Sequence, residues 1–117
     1  MTYNALDVVR VPFPFTDRAA RKVRPAVVLS DSIAFNTRAG HSVCAVITSA
    51  QRSAWPLDLV IEDLAAAGLS NPCLVRMKLF TLDHRLVLGK LGRLAGDDAA
   101  RLRHRLGILC PQAPFEH

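Results

Sequence analysis

The segment from residue 7 to residue 30, DVVRVPFPFTDRAARKVRPAVVLS, constrains the fold more than any other part of the chain. It contains two short apolar runs on either side of a basic loop, and the second run follows an Arg-Pro pair. Apolar runs of about four to eight residues bounded by turn signals are typical of buried strands. We therefore predict strands at Asp7–Phe13 and Arg24–Ser30, joined by a charged loop over residues 15–23.

The rest of the chain repeats this pattern of short apolar runs separated by polar breaks. Val, Ile, Leu and Cys dominate the runs, and Gly, Pro, Asn and Ser dominate the breaks. This alternation predicts further strands. They are expected at His41–Thr48, Leu57–Ile61, Cys73–Met77 and within Arg85–Leu94, where the apolar spacing also fits a helix.

Three segments have helical features. The mixture of Asp, Ser, Asn, Thr and Gly in residues 31–40 predicts a connection with one helical turn. Glu62–Ala67 is predicted to be a short helix that ends at Gly68 in a left-handed cap. Asp97–Leu109 is predicted to be an amphipathic helix, with two aspartates in its first turn that favour the helix dipole. Its apolar stripe consists of Ala99, Leu102, Leu106 and Leu109.

These elements and the composition limit the fold class. The chain has 117 residues, half of them hydrophobic, which fits a single domain over residues 1–117 with its own core. The order of elements predicts a mainly β fold with a C-terminal α-helix, as a small curled sheet or barrel. The net charge is +5, carried by twelve arginines and three lysines. Arginine favours phosphate contacts, although a positive surface also simply aids solubility.

Other features indicate that the protein has no metal centre and functions in a reducing compartment. The three cysteines are widely spaced and lack the spacing of a zinc site. No signal-peptide pattern is evident, and no apolar run approaches the roughly 18 residues of a membrane span. We therefore expect a cytoplasmic protein with no metal or other cofactor. The histidines are interpreted as solvated or structural: His41, His84, His104 and His117.

Two positions are candidates for chemistry. Arg24 lies where the basic loop meets a predicted central strand, and Pro25 stiffens the backbone beside it. Its structural alternative is a strand-end arginine in a surface ion pair, for example with Asp17. Thr48 and Ser49 lie at the end of the third predicted strand, where β-propensity and turn chemistry are an equally ordinary explanation.

Three motifs in order resemble the PemK/MazF family of toxins from type II toxin–antitoxin systems. The first is DVVRVPFPFTD followed by RPAVVLSD, the second is AVITSA, and the third is AGLSNPCLVRMKLFTLDHRLVLGKLG. Their order and spacing cover about residues 6–109. The resemblance implies a small SH3-like barrel of the MazF/PemK/CcdB toxin type, usually a homodimer.

The resemblance also implies a function. Family members are metal-independent endoribonucleases that cut single-stranded RNA, often mRNA, and are inhibited by an antitoxin with an acidic C-terminal tail. The matching positions make Arg24, Thr48 and Arg76 the expected catalytic residues. The expected RNA-binding residues combine cations, a hydroxyl and aromatic rings for base stacking. They are Phe15, Arg18, Arg21, Lys22, Ser49, Trp55 and Lys78.

Three positions depart from the family pattern. Leu6 stands where a glycine is usual, and Cys73 stands where a serine is usual. Lys78 occupies the position at which some relatives have a catalytic carboxylate, so the arginine–threonine mechanism is the one this sequence supports. Two alternatives remain open: a catalytically inactive SH3-like module that binds protein or nucleic acid, and a DNA-binding regulator that uses its last helix.

Overall fold

One antiparallel sheet forms most of the protein, in a computed structural model that describes residues 2–12, 22–50 and 54–113. In space the strands follow the order β4-β5-β3-β2-β1-β6, so that β4 and β6 are the edges of a curled half-barrel. This confirms the predicted mainly β architecture. The strands are β1 (Asp7–Pro12), β2 (Val23–Val28), β3 (His41–Ser49), β4 (Leu59–Val60), β5 (Cys73–Asp83) and β6 (Gly89–Arg93).

Helical segments occupy the connections and the C-terminal part. The predicted single turn within 31–40 is longer, with a π-helical turn at Ser32–Asn36 followed by α1 (Thr37–Ala39). The short helix α2 (Leu64–Ala67) ends at Gly68 with φ 73°, as predicted. The last helix, α3 (Gly96–Leu109), lies within one residue of its predicted start.

Both faces of the sheet are buried against apolar side chains. On one face Val27, Ala45 and Ile47 pack with Ala99 and Leu102 of α3. Because successive strand residues point to opposite faces, the neighbours of Val27 belong to the second cluster. The predicted central position of β2 is therefore confirmed. The second cluster contains Tyr3, Val9, Val11, Ala26, Val28, Cys44 and Leu82.

Several strand boundaries differ from the predictions, and β2 ends at Val28 rather than at Ser30. The strand predicted at Leu57–Ile61 is only Leu59–Val60, because Trp55 to Asp58 form a turn closed by a backbone hydrogen bond of 3.1 Å. β5 does not end at Met77 but continues to Asp83, because its later residues keep pairing with β3. Within Arg85–Leu94, a 3-10 helix (His84–Leu86) precedes the five residues of β6.

The residue before β1 has an unusual backbone. Leu6 has φ 78°, in the left-handed region that glycine adopts without strain. Its side chain is buried in the cluster that contacts α3. The burial of a leucine side chain contributes about 2 kcal/mol and offsets a strain of about 1 kcal/mol. This explains how leucine is accommodated at a position where the sequence resemblance led us to expect glycine.

The first turn of α3 contains a carboxylate with a structural role that the sequence did not predict. Asp98 is buried and accepts hydrogen bonds from the backbone N–H groups of Glu62 and Asp63, at 3.0 and 2.9 Å, and from the Arg101 guanidinium. Burial acts to raise the pKa of Asp98, but these hydrogen bonds hold it below its ordinary value. Asp98 therefore attaches α3 to the segment before α2.

This arrangement predicts a pH-dependent loss of stability in Asp98→Asn. We expect the free energy of unfolding in urea at pH 7 to fall by about 2 kcal/mol, because charged hydrogen bonds are lost. A lowered carboxylate pKa stabilises the fold above its unfolded value of about 3.9, and that contribution disappears as the pH falls through the folded pKa. The difference from wild type should therefore shrink below about pH 4. Asp97→Asn, at an exposed neighbour, is the control and should change stability by less than about 0.5 kcal/mol.

Candidate active site

A pocket of about 350 Å³ lies where β2 begins and β3 ends. Both candidate positions from the sequence, Arg24 and the Thr48–Ser49 pair, line it. Residues between α2 and β5 form its other wall. The complete lining consists of Arg24, Pro25, Ile47, Thr48, Ser49, Asn71, Pro72 and Cys73.

The strand register explains why Arg24 and Thr48 meet. In the antiparallel ladder of β2 and β3, Ala26 pairs with Val46. The paired residues end there, and the same register continued by two residues brings Arg24 and Thr48 to matching positions at the ends of β2 and β3. Residues at matching positions of antiparallel strands share a face of the sheet, and both side chains line the first pocket. Arg24 also pairs with Val11 of β1, so the backbone of this cation is held from the other side too.

A second pocket, of about 360 Å³, adjoins the first and extends it past Arg24. The two share Arg24, Pro25, Asn71 and Cys73, and together they form one groove across the ends of β1, β2 and β3. Sequence reasoning did not assign Arg10, Ser70 or Asn71 to a site. In the sequence, Ser70 and Asn71 are notable only as the polar pair before Pro72. The second pocket is also lined by Arg10, Val23, Gly68, Leu69, Ser70 and Leu91.

Two glycines hold the outer wall of this groove in place. A Cβ atom on Gly68 would lie 2.0 Å from the carbonyl oxygen of Leu91, and one on Gly92 would lie 2.4 Å from that of Ala66. The end of α2 and the strand β6 therefore approach each other at backbone distance. This contact fixes the start of the 68–72 segment, whose Asn71 lines both pockets together with Arg24.

Cys73 lines both pockets at the position where the family pattern has a serine. Its thiol is partly buried, and burial raises the pKa of Cys73 above its ordinary value. At neutral pH it therefore contributes an uncharged group to the groove. Among the described residues, no three His, Cys, Asp or Glu side chains are grouped as a metal ion would need.

Arg76 lies on the same face of the sheet as Thr48 but outside both pockets. It pairs with Val46, two residues before Thr48 on β3. Its Nε and Nη2 atoms donate to the two carboxylate oxygens of Asp58, at 3.2 and 2.9 Å. This hydrogen-bonded carboxylate raises the pKa of Arg76. The sequence placed Asp58 only within the predicted strand Leu57–Ile61.

The remaining predicted RNA-binding residues have different positions. The Trp55 ring is 39% exposed, and Lys78 Nζ lies 5.0 Å and Arg76 Cζ 5.8 Å from its centre. Lys22 is exposed just before β2 and lines neither pocket. The described part of the chain does not include Phe15, Arg18 or Arg21.

The sequence also matches a known protein family. A family model described as the PemK-like, MazF-like toxin of type II toxin–antitoxin systems matches residues 4–110. The chain belongs to this family of toxins. The sequence resemblance is thereby confirmed over nearly the whole chain. None of the curated protein sequences matches it significantly.

Solved structures of such toxins share the fold. A MazE–MazF complex from Deinococcus radiodurans is 25% identical, with a TM-score of 0.70 and coverage of 97% of this chain and 99% of that one. A mycobacterial endoribonuclease in complex with its cognate antitoxin is 15% identical, with a TM-score of 0.72 and 98% coverage of both chains. The Mycobacterium tuberculosis toxin MazF-mt6 is 17% identical, with a TM-score of 0.68 and coverage of 87% and 93%.

Proposed function

We propose that this toxin is a metal-independent endoribonuclease that cuts single-stranded RNA, including mRNA. The observation that carries the proposal is that Arg24 and Thr48, at adjoining ends of β2 and β3, line one pocket. A guanidinium and a hydroxyl in one pocket match the needs of a phosphodiester, which offers two anionic oxygens and an adjacent ribose hydroxyl. Membership of the toxin family and the excess of arginine support the same substrate.

In the proposed reaction the ribose 2′-oxygen is the nucleophile. It loses its proton and attacks the adjacent phosphorus, and the bond from phosphorus to the 5′-oxygen breaks. The departing 5′-oxygen takes up a proton, which leaves a 2′,3′-cyclic phosphate and a 5′-hydroxyl. No water or metal ion is consumed in this transfer, so the protein has to supply positioning and charge stabilisation.

Arg24 and Thr48 have complementary roles in this scheme. The planar guanidinium of Arg24 binds two oxygens of the five-coordinate phosphorus and stabilises their growing negative charge. It does not act as the base, because an arginine guanidinium is not deprotonated in proteins. Thr48 donates its hydroxyl hydrogen to a phosphate oxygen or orients the 2′-hydroxyl. Arg76 adds positive charge one step along the same face.

The other predicted residues would bind the rest of the RNA. Ser49 and Lys78 lie on β3 and β5 and would contact the backbone, and the half-exposed Trp55 ring would stack on a base. Lys22 would extend the charged surface at the start of β2. The same contacts are assigned, from the sequence alone, to Phe15, Arg18 and Arg21.

We also propose the partners and setting that the family implies. An antitoxin with an acidic C-terminal tail would cover the groove, since a tail of carboxylates competes with RNA phosphates for the same arginines. The toxin would act as a homodimer in the cytoplasm. In the described part of the chain, no helix is long and apolar enough to cross a membrane.

Cleavage in the presence of a chelator tests the proposed activity. Pure protein incubated with a long single-stranded RNA and EDTA should give discrete fragments, at the same rate as without EDTA. Activity that disappears with EDTA and returns with a divalent ion would contradict the metal-independent mechanism. Intact RNA under all conditions, with RNA binding retained, would favour the inactive binding module.

The DNA-binding alternative is not favoured by the last helix. Ala99 and Leu102, from the apolar stripe of α3, are buried against the sheet. Arg101 donates to the carbonyl oxygen of Val60 and to Asp98, so it stabilises the helix packing. A recognition helix needs its arginines directed to bases.

A further inference from the structure

Asp58 and Arg76 form a nearly buried ion pair at the edge of the proposed RNA site. Their side chains are only 16% and 14% exposed, and the two hydrogen bonds between them engage both carboxylate oxygens. A paired contact of this kind fixes the plane of the guanidinium as well as its position. Arg76 is therefore held in one orientation before any ligand arrives.

Asp58 is itself fixed by the turn that contains it. Its backbone N–H donates to the carbonyl oxygen of Trp55, and its Oδ2 atom accepts from the backbone N–H of Trp55, both at 3.1 Å. Between them, Leu57 has φ 65°, a conformation that costs a leucine about 1 kcal/mol. Backbone strain of this kind persists where surrounding contacts over-determine the conformation, and it clusters at functional sites.

Trp55 connects this turn to a second cation. Its ring lies within 6 Å of both Lys78 Nζ and Arg76 Cζ, in the range of a cation–π interaction. Two neighbouring cations repel each other unless negative charge compensates them. The Asp58 carboxylate and the tryptophan ring supply that compensation, so Arg76 and Lys78 can both remain against the ring.

We propose that Asp58 is a positioning residue of the RNA site. It orients Arg76 directly and, through Trp55, keeps Lys78 near Arg76, so that both cations can bind one RNA phosphate. The inference rests on the proposed endoribonuclease function and names a residue that neither the family motifs nor the sequence assigned. Because the cations are ordered in advance, RNA binding does not have to order them. The same carboxylate cancels part of their charge, so it should aid the cleavage step more than substrate binding.

The test is steady-state cleavage of a short single-stranded RNA by Asp58→Asn. We expect kcat to fall about tenfold, because small misplacements of a charged group are costly in the transition state. We expect KM to stay the same or to fall, because a negative charge near the RNA has been removed. Trp55 is the only tryptophan, so its fluorescence spectrum should also change in the variant.

The matched control is Asp83→Asn. Asp83 forms an equivalent two-pronged pair with Arg85, and both pairs involve β5. The Asp83 pair lies at the far end of the strand, about 20 Å from Arg76 at 3.3 Å per residue. Asp83→Asn should leave kcat, KM and the tryptophan spectrum within about twofold of wild type.

A second variant keeps the proposal testable if Asp58→Asn is unstable. Arg76→Lys preserves the charge but not the two-pronged contact, and it should lower kcat by a similar factor. The kcat of the double variant should be no lower than that of either single variant, because the two substitutions break the same interaction. The inference would be overturned if the kcat losses of the two single variants multiplied in the double variant. It would also be overturned if Asp58→Asn had the same kinetics as Asp83→Asn. Either outcome would leave the cleavage activity established. A wild-type protein that cleaves no RNA would overturn the proposed function and this inference with it.

Discussion

Replacing Arg24 with alanine is expected to slow RNA cleavage by about 100- to 1000-fold while the protein stays folded. The magnitude is that of losing one group that stabilises charge in the transition state. Arg24 is the cation common to both pockets and lines the first one together with Thr48, whereas Arg10 lines only the second. The effect should appear in kcat as well as KM, because in the proposed mechanism Arg24 mainly contacts the developing phosphorane.

The control for this variant is Arg38→Ala. Arg38 is an exposed arginine of α1, and its removal changes the net charge by the same amount. It should reduce cleavage by less than about threefold, mainly through long-range attraction for RNA. Circular dichroism and urea unfolding would establish that both variants are folded. A folded Arg24→Ala protein with wild-type cleavage would remove Arg24 from the active site.

Thr48→Val is expected to lower kcat by about 100-fold, the second-largest effect. Valine has nearly the shape of threonine and suits a strand, so the substitution removes the hydroxyl with little change to β3. Thr48→Ser keeps the hydroxyl and should retain activity within about tenfold. The loss therefore reports the hydrogen bond to the reacting group rather than packing.

A matched substitution elsewhere in the sheet controls for strand effects. Thr81 lies on β5, is exposed, and pairs with Val43 at the opposite end of β3 from Thr48. Thr81→Val should cleave RNA at the wild-type rate. If Thr48→Val behaves like Thr81→Val, then the hydroxyl of Thr48 has no part in the reaction and the proposed pair reduces to Arg24 alone.

The sequence predicted the part of the site that depends on strands and motifs. Arg24–Pro25 followed by a fully apolar run was sufficient to predict a central strand with a cation at its end. The position of Thr48 at the end of the next strand followed in the same way. An antiparallel connection between those strands then brings the two residues to the same end of the sheet.

Other parts of the site depend on contacts between distant positions, which one sequence does not reveal. Asp58 and Arg76 are 18 residues apart, and the alternation around Asp58 was interpreted as a half-wet strand. The structure instead places Asp58 at the end of a turn with Leu57 at positive φ. Because glycine is the usual residue at such a position, the leucine did not indicate a turn.

The length of β5 was underestimated for a related reason. Beyond Met77 one face of the strand is exposed at Leu79 and Thr81, and Lys78 interrupts the apolar run in the sequence. The ladder with β3 continues because backbone hydrogen bonds do not depend on that apolar character. Likewise, the buried role of Asp98 follows from its tertiary partners rather than from its place in the first helical turn.

The chemistry of the fragment ends tests the central claim most directly. After wild-type protein has cut a single-stranded RNA in EDTA, the new 5′ ends should accept a labelled phosphate from a polynucleotide kinase without prior phosphatase treatment. The same reaction with Arg24→Ala should give almost no labelled fragments. Labelling in this way is the result expected for attack by the 2′-hydroxyl in the Arg24–Thr48 groove. Fragments that take up label only after phosphatase treatment carry 5′-phosphates, which would contradict that mechanism.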